Sequence, residues 1–162
     1  MNILENAKRL FKLLSPSRAA HAQRVAALFI NPSENELAAV YLHDILEDTH
    51  LKEEDLLSEV GPEVTEMVKK LTNPLHIYSQ KIRDFSHLKN AIPEVKRIKL
   101  ADRIDNIKKR VDAVDEFNCK HLKDYATETE RLLAILKDGD ERLANILYGL
   151  LDKLKKNCAK YV

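Results

Sequence analysis

The stretch "YLHDILEDT", Tyr41–Thr49, carries an unusual run of carboxylates beside apolar residues in a predicted helix. At about 100° per residue, its polar groups share one arc of the helix and its apolar groups share the other. The polar arc contains His43, Asp44, Glu47 and Asp48. It contains no lysine or arginine, although a solvated helix face usually mixes both signs of charge. Because unpaired charges are costly to bury, the arc is either an ordinary surface or the lining of a metal site.

Composition predicts the fold class. Helical periodicity recurs along the 162-residue chain, and leucine, alanine, lysine and glutamate are abundant. Strand-rich folds place glycine at hairpin turns, but this chain has only three glycines. One hydrophobic core suffices at this length, and no repeat or low-complexity linker divides the sequence. We therefore predict an all-α fold, a compact bundle of about eight or nine helices in a single domain over residues 1–162.

Breaks in the periodicity, mostly at proline, serine and glycine, set the predicted helix boundaries. Ser17 and Ser33 are candidate N-caps, because a serine side chain accepts a hydrogen bond from the first helical turn. Pro93 suits the first turn of a long helix, since the N–H it lacks would have no helical partner there. The predicted helices cover roughly residues 2–14, 17–30, 34–48, 49–60, 62–71, 76–90, 93–111, 120–137 and 141–157.

The charge balance gives no reason to expect a nucleic-acid polymer or a membrane surface as a partner, because 27 basic residues oppose 26 acidic ones. No apolar run approaches the roughly 18 residues that a spanning helix needs. The start of the chain, "MNILENAKRLFKLL", is too polar for a secretion signal. Cys119 and Cys158 have neither disulfide-framework nor zinc-finger spacing. These features predict a cytoplasmic protein in a reducing environment.

Two further segments add candidate metal ligands. His21 lies in "SRAAHAQRVAALF" on the second predicted helix, and Asp102 lies in the basic segment "KRIKLADRIDNIKKR". Taken alone, such a histidine is usually a packed or surface residue, and such an aspartate is usually an ion-pair partner. Together they give a histidine, a His-Asp pair 22 residues later and an aspartate 58 residues after that pair.

This four-part pattern resembles the H…HD…D signature of the HD superfamily of metal-dependent phosphohydrolases. The bare His-Asp dipeptide is uninformative, whereas the complete pattern on successive helices is specific. The resemblance implies a compact HD-domain helical bundle with four metal ligands. These ligands would be His21, His43, Asp44 and Asp102.

The finer match is to the (p)ppGpp hydrolase domain of RelA/SpoT-type enzymes and small stand-alone alarmone hydrolases. "HDILEDT" resembles the HDxxEDT motif of that group, and "KLADRIDN" resembles its K-L-A-D-R/K-x-x-N segment. The resemblance covers residues 17–135. It implies a guanosine-3′,5′-bis(diphosphate) 3′-pyrophosphohydrolase-like enzyme, which removes the 3′-pyrophosphate of (p)ppGpp, a small-molecule nucleotide.

The implied ligand set indicates one divalent metal ion. Two imidazoles and two carboxylates suit Mn²⁺ better than Mg²⁺, which prefers oxygen ligands. Glu47 and Asp48 lie one turn beyond His43 and Asp44, so we expect them to face the same cavity from just outside the ligands. There one carboxylate would accept the proton of an attacking water molecule and the other would orient that water.

The segment before His21 departs from the family pattern. The family usually reaches this histidine through a basic residue and a Gly-x-Pro-Tyr stretch, whereas this chain has "SPSRAAHAQ". Arg18, one helical turn before His21, is the candidate substitute for the residue that packs against guanine. The other candidate substrate-binding residues are Lys99, Arg103, Asn106 and Tyr125.

Two alternative functions remain open. The altered approach to His21 is compatible with an HD-domain nucleotidase or phosphodiesterase that acts on another nucleotide. A non-catalytic HD module that binds a nucleotide without turnover is the second alternative, although the intact Glu47-Asp48 pair argues against it. Incubating metal-loaded protein with ppGpp, dNMPs and cyclic nucleotides distinguishes the three functions.

Overall fold

The computed structural model describes residues 1–161 and contains helices but no strand over that range. Eight α-helices lie in these residues, and seven of them are nine residues or longer. This confirms the predicted all-α fold, with a helix count at the lower end of the predicted eight or nine. The helices are α1 (Ile3–Phe11), α2 (Pro16–Ala26), α3 (Glu34–Leu42), α4 (Ile45–Asp48), α5 (Glu53–Leu71), α6 (Pro93–Val111), α7 (Cys119–Leu136) and α8 (Glu141–Ala159).

Backbone contacts group the chain into two compact units, Met1–Asn73 and Pro74–Val162. The first unit contains α1 to α5, and the second contains α6 to α8. A single domain over 1–162 stays a prediction. Within residues 1–161, every helix is too short or too polar to traverse a lipid bilayer.

Serine caps fix the starts of α2 and α3. Ser33 caps α3 as predicted, because its hydroxyl accepts a hydrogen bond from the backbone N–H three residues later. The predicted cap of α2 was Ser17, and that prediction is wrong. Ser15 caps α2 by accepting from the N–H of Arg18, and Pro16 occupies the first helical position, where its missing N–H has no cost.

The predicted continuous helix over residues 34–48 is wrong, because the chain is interrupted at His43 and Asp44. α3 ends at Leu42, and Asp44 has φ −103° and ψ 3° before α4 begins at Ile45. The Asp44 carbonyl then accepts hydrogen bonds from two N–H groups of α4, at 3.2 and 3.0 Å. Aspartate is weak in helix interiors because its side chain competes for backbone hydrogen bonds, so it suits such an interruption. The candidate ligands and the Glu-Asp pair therefore belong to separate short segments.

α5 bends at Gly61, the residue predicted to end one helix before another begins at Pro62. Gly61 has φ 80° and ψ 174°, a conformation that favours glycine because it has no Cβ. The helical hydrogen bonding resumes beyond the bend, so the predicted boundary corresponds to a kink inside α5. In the first unit, α5 packs against α1, α3 and α4, and α2 packs against α3.

The second unit is built around α6, which has the predicted bounds Pro93–Val111. Both α7 and α8 pack against α6, and they also pack against each other. The predicted irregular helix over residues 76–90 is wrong, since this segment contains two short 3-10 helices, Leu75–Ser79 and Ser86–Leu88. Between them the side chains of Gln80 and Asp84 accept backbone N–H groups, which opposes a continuous helix.

Candidate metal centre

Three of the predicted metal ligands lie together in the first unit. The Nε2 atoms of His21, on α2, and His43, at the end of α3, lie 3.3 Å apart. The Oδ2 atom of Asp44 lies 3.2 Å from His43 Nε2 and 3.8 Å from His21 Nε2. Imidazole nitrogens and carboxylate oxygens are atoms that bind metal ions, so these three residues are able to act as ligands of one ion. The helix interruption at His43 and Asp44 supplies two of the three.

A backbone hydrogen bond sets the tautomer of His43. Its Nδ1 atom lies 2.7 Å from the carbonyl oxygen of Val40. A carbonyl only accepts, so Nδ1 carries the proton and donates it to Val40. In the neutral imidazole the lone pair then resides on Nε2, the atom that faces His21 and Asp44. Such a carbonyl partner orients a ligating histidine in many metal sites.

The burial and chemistry of this group fit a divalent metal ion. His21 and His43 are each only 3% exposed. Electron-rich nitrogen and oxygen atoms at these separations repel one another unless a proton or a metal ion lies between them. Two imidazole nitrogens and one carboxylate oxygen are ligand types that divalent transition-metal ions accept. The cluster in the first unit therefore indicates metal binding.

The Glu47-Asp48 pair lies on α4, directly after these ligands. Glu47 Oε1 accepts a hydrogen bond of 2.6 Å from the backbone N–H of Asn73. Asp48 Oδ2 lies 3.5 Å from Nε of Arg18, which the sequence predicted as a substrate contact. Burial raises the pKa of the Asp48 carboxyl above its ordinary value, although the Arg18 guanidinium partly opposes this shift. The two carboxylates thus have different partners and different electrostatic surroundings.

The fourth predicted ligand, Asp102, is buried on α6 in the second unit. Lys99 Nζ lies 3.3 Å from Asp102 Oδ2, and Asn106 Nδ2 donates to Asp102 Oδ1 at 3.1 Å. These contacts follow the i,i+3 and i,i+4 spacing of neighbours on one helix face. Two predicted substrate-binding residues therefore flank the Asp102 carboxylate.

Arg103 and Tyr125 belong to an enclosed cluster of the second unit. Arg103 is buried, and its Nη1 lies 2.8 Å from Glu128 Oε2 and donates to Thr129 Oγ1 at 3.2 Å. Its guanidinium carbon lies 4.6 Å from the centroid of the Tyr125 ring, within the range of a cation–π interaction. This enclosure favours a structural role for Arg103. Its contact with substrate stays a prediction.

Sequence reasoning missed Glu128, the acidic centre of this cluster. Glu128 is 4% exposed, and its carboxylate accepts hydrogen bonds from Nε and Nη2 of Arg83 at 2.9 and 3.0 Å. The signal was present in α7, because Glu128 lies three residues after Tyr125 and four before Leu132, on the face that these residues mark for burial. A carboxylate on a buried face predicts a cationic partner.

The ion pairs of this cluster shift its pKa values. Burial opposes ionisation of Glu128, but hydrogen bonds from Arg83 and the charge of Arg103 outweigh it, so the pKa of Glu128 is lowered. Burial raises the pKa of Tyr125. Among residues 1–161, the Tyr125 hydroxyl has no hydrogen-bond partner. At neutral pH the cluster therefore combines an ionised carboxylate with a protonated phenol.

The sequence profile of the HD domain family matches residues 12–139, which is most of the chain. The chain therefore belongs to the HD domain family. This match confirms the family that the H…HD…D pattern predicted. Membership and the cluster of histidine and aspartate side chains together indicate a divalent metal site.

Two relatives are named as pyrophosphohydrolases. The chain is 32% identical over 131 residues to a probable guanosine-3′,5′-bis(diphosphate) 3′-pyrophosphohydrolase of Mycoplasma pneumoniae, covering 70% of this chain and 17% of that protein. It is 36% identical over 78 residues to the guanosine-3′,5′-bis(diphosphate) 3′-pyrophosphohydrolase MESH1 of Drosophila melanogaster, covering 46% of this chain and 43% of MESH1. The chain thus spans less than half the length of either relative.

A solved structure with a similar fold is described as a metazoan ortholog of SpoT that hydrolyzes ppGpp. It superimposes with a TM-score of 0.78 at 20% sequence identity, and the match covers 94% of both chains. At this identity the likeness concerns the fold. It confirms the predicted HD-domain helical bundle.

Proposed function

We propose that this chain is a metal-dependent phosphohydrolase that removes the 3′-pyrophosphate of (p)ppGpp-type guanosine nucleotides in the cytoplasm. The observation that carries the proposal is the group of His21 Nε2, His43 Nε2 and Asp44 Oδ2, in which both histidines are buried, followed directly by the Glu47-Asp48 pair. Membership of the HD domain family and the names of the two relatives support the same reaction.

The proposed metal is one Mn²⁺ ion held by His21, His43, Asp44 and Asp102. Three of these residues converge in the first unit, and the H…HD…D pattern supports Asp102 as the fourth. Mixed imidazole and carboxylate ligands suit Mn²⁺ better than Mg²⁺, which prefers oxygen. When bound, such an ion polarises the phosphate and makes water a stronger nucleophile.

The proposed reaction is a hydrolysis at the phosphorus joined to O3′ of the nucleoside. A bond forms between the water oxygen and this phosphorus, and the bond from phosphorus to O3′ breaks. Pyrophosphate leaves, and GDP or GTP is the other product. Glu47, fixed by the N–H of Asn73, orients the water. Asp48 accepts the water's proton, and O3′ takes a proton from solvent.

Cationic and amide side chains offset the substrate's negative charge in this proposal. The side chain of Arg18 is 56% exposed, so it is able to exchange its carboxylate partner for a substrate group. Lys99 and Asn106 flank the α6 carboxylate and supply an ammonium and an amide. In the enclosed cluster of the second unit, Arg103 adds a positive charge and Tyr125 adds a hydroxyl group.

The test is metal analysis of protein purified without a histidine tag, followed by a substrate panel. The proposal expects one divalent ion per chain, and equal amounts of GDP and pyrophosphate released from ppGpp. An Asp44→Asn variant, which keeps the side-chain shape, is the control for contaminating hydrolases. Phosphate release from dNMPs or turnover of cyclic nucleotides, without pyrophosphate from ppGpp, would replace the proposal with the nucleotidase or phosphodiesterase function. Tight ppGpp binding without turnover in Mn²⁺ would replace it with the binding module.

A further inference from the structure

The two cysteines of the chain, Cys119 and Cys158, lie in the second unit, and neither belongs to the candidate metal centre. Cys119 is the first residue of α7, and Cys158 lies in the last turn of α8. Both are free thiols, with exposed fractions of 8% and 2%. Since a buried thiol also serves as a small apolar side chain, a chemical role depends on how the two are placed relative to each other.

The register of α7 and α8 brings the two cysteines to the same end of the second unit. The helices are consecutive, pack against each other and are joined only by residues 137–140, so they run antiparallel. From the residues beside this connection, Cys119 lies about 26 Å from Leu136 along α7, and Cys158 lies about 23 Å from Leu143 along α8. These distances differ by less than one helical turn, so the two cysteines occupy facing levels of the helix pair.

Contacts with the segment between α6 and α7 hold both cysteines at this end. Asn157 Nδ2 donates a hydrogen bond of 2.6 Å to the backbone carbonyl of Val111, at the end of α6. The Cys119 thiol lies against the same segment, where its Sγ donates to the carbonyl oxygen of Glu116 at 3.6 Å. The residue that precedes Cys158 and the side chain of Cys119 are therefore held by one short stretch between the two helices.

The electrostatics of Cys158 agree with this placement. Burial raises the pKa of the Cys158 thiol, and the neighbouring Cys119 thiol raises it further, whereas the Lys123 ammonium opposes the shift. Cys119 and Lys123 lie one turn apart on α7, so the end of α8 rests on the first turns of α7. The two thiols are therefore near neighbours in the folded chain.

Both cysteines lie at helix ends, where local opening costs least free energy. Cys119 begins α7, and only one residue of α8 follows Cys158. The terminal turn of a helix lacks part of its backbone hydrogen bonding and frays readily. The ion pair of Lys153 and Asp112 restrains this end of α8 only weakly, because both side chains are mostly exposed. A small oxidant is thus able to reach the thiols during brief openings, although both are buried in the closed structure.

We propose that Cys119 and Cys158 form a reversible redox modification site, which hydrogen peroxide converts into an intrachain disulfide between α7 and α8 when the end of α8 opens. One thiolate attacks a peroxide oxygen, the O–O bond breaks, and a sulfenic acid and a first water are formed. The other sulfur attacks the sulfenic sulfur, the S–O bond breaks and a second water leaves. The two sulfur atoms lose two electrons to the peroxide, and both thiol protons end in the waters. A dithiol reductant reverses the reaction by thiol–disulfide exchange.

The inference goes beyond the proposed function and does not depend on it, because neither cysteine takes part in the proposed hydrolysis. In the reducing environment that the sequence predicts, disulfides are usually transient and respond to oxidation. This disulfide would join the start of α7 to the end of α8 and close a loop of about 40 residues, which restricts the unfolded chain. Oxidation should therefore make the protein more resistant to heat.

The chemical test treats the reduced protein with hydrogen peroxide, removes the excess and digests the chain with trypsin without a reductant. We expect the wild-type chain to remain free of disulfide-linked dimers, to lose two hydrogen atoms in mass and to yield the Cys119 peptide joined to the Cys158 peptide. Dithiothreitol should restore both thiols. Thiols that stay free, oxygen atoms added in place of the disulfide, or disulfide-linked dimers would overturn the site.

Thermal unfolding measures the constraint that the disulfide imposes. We expect the melting temperature of the oxidised wild-type protein to exceed that of the reduced protein by about 5–15 °C. Cys119→Ala and Cys158→Ala each retain one thiol, and peroxide should leave their melting temperatures unchanged. An equal or lower melting temperature after the disulfide forms would show that the bond displaces α7 and α8 from their packed positions, and would overturn the inference.

The rate of oxidation tests the opening of α8. Asn157→Ala removes the hydrogen bond to the Val111 carbonyl, so it should speed disulfide formation by about 2–10-fold, as for one neutral hydrogen bond. Asn145→Ala makes the same substitution at an exposed position near the start of α8 and should leave the rate at the wild-type value. Equal rates in Asn157→Ala and the wild type would overturn the requirement for opening at the end of α8.

Discussion

Two polar clusters, one in each unit, differ in how their charges are balanced. In the first unit, His21, His43 and Asp44 bring electron-rich atoms within 3.2 to 3.8 Å of one another. In the second unit, Glu128 lies between the guanidinium groups of Arg83 and Arg103. The first group requires a proton or a metal ion to become favourable, whereas in the second the carboxylate and both guanidinium groups already contact one another. His21 and His43 are about as buried as Glu128. The two histidines nevertheless belong to a metal-ligand group, whereas Glu128 belongs to a structural ion pair.

The strongest way to break this comparison is to remove a ligand from the first cluster. His43→Gln should abolish metal binding and hydrolysis, a larger loss than the roughly 10²–10⁴-fold typical of a missing general base. The variant should remain helical by circular dichroism, since the fold does not depend on the lost ligand alone. Metal analysis and ppGpp turnover measure the effect. His50→Gln, at an exposed position after α4, is the matched control.

Replacing the proposed base separates chemistry from metal binding. Asp48→Asn should lower kcat by about 10²–10⁴-fold while the protein retains its metal, because the carboxylate acts on the water's proton. Glu54→Asn changes an exposed carboxylate on α5 and should leave kcat at the wild-type value. Wild-type kcat in Asp48→Asn, with the metal still bound, would transfer the role of base to another group.

In the second unit, removing the charge of Glu128 should lower the stability of the folded protein. Glu128→Gln leaves the buried guanidinium of Arg103 and the partly exposed guanidinium of Arg83 without their counter-charge, and we expect a loss of about 3–5 kcal/mol in the free energy of unfolding. Glu130→Gln is the matched control, because this side chain is 60% exposed and pairs with Lys155 on the surface, where such pairs contribute about 0–1 kcal/mol. Urea titrations of the two variants measure the difference. Equal losses would mean that the buried pair is not a structural element.

The pKa of Glu128 gives this difference a pH dependence. Its pKa is lowered from the ordinary 4.5, so the stabilisation is complete above pH 4.5 and is lost as the pH falls through the folded-state pKa. The difference in unfolding free energy between wild type and Glu128→Gln should therefore be constant near neutral pH and shrink below 4.5. A difference that persists in stronger acid would indicate that packing, and not charge, explains the effect.

The smallest expected effect concerns the turn that packs on α6. A Cβ at Gly139 would lie 2.5 Å from the Lys96 Cβ and 3.3 Å from the Arg97 backbone nitrogen. Gly139→Ala should therefore destabilise the protein by about 1–3 kcal/mol through overpacking. Gly149→Ala has open space around its Cβ inside α8 and should stabilise by about 0.5–1 kcal/mol. Thermal unfolding of both variants measures the contrast.

Sequence reasoning worked best where the cause of structure is local. Pro93 marked the first turn of α6, and helical periodicity carried the prediction to Val111. The same reasoning failed over residues 34–48. A helical wheel assumes one continuous helix, so it does not detect the interruption at Asp44. It also failed at Ser17, where Ser15 with Pro16 made the stronger helix start.

The sequence by itself determined the all-α class, the candidate ligands and the Glu47-Asp48 pair, because helix propensity, proline position and motif spacing are properties of short segments. Only the tertiary structure decided that the rings of His21 and His43 meet at Nε2 and that Glu128 pairs with Arg83. These contacts join residues 22 and 45 positions apart, and they depend on how whole helices pack. Packing is a cooperative property of the folded chain, so no local pattern specifies it.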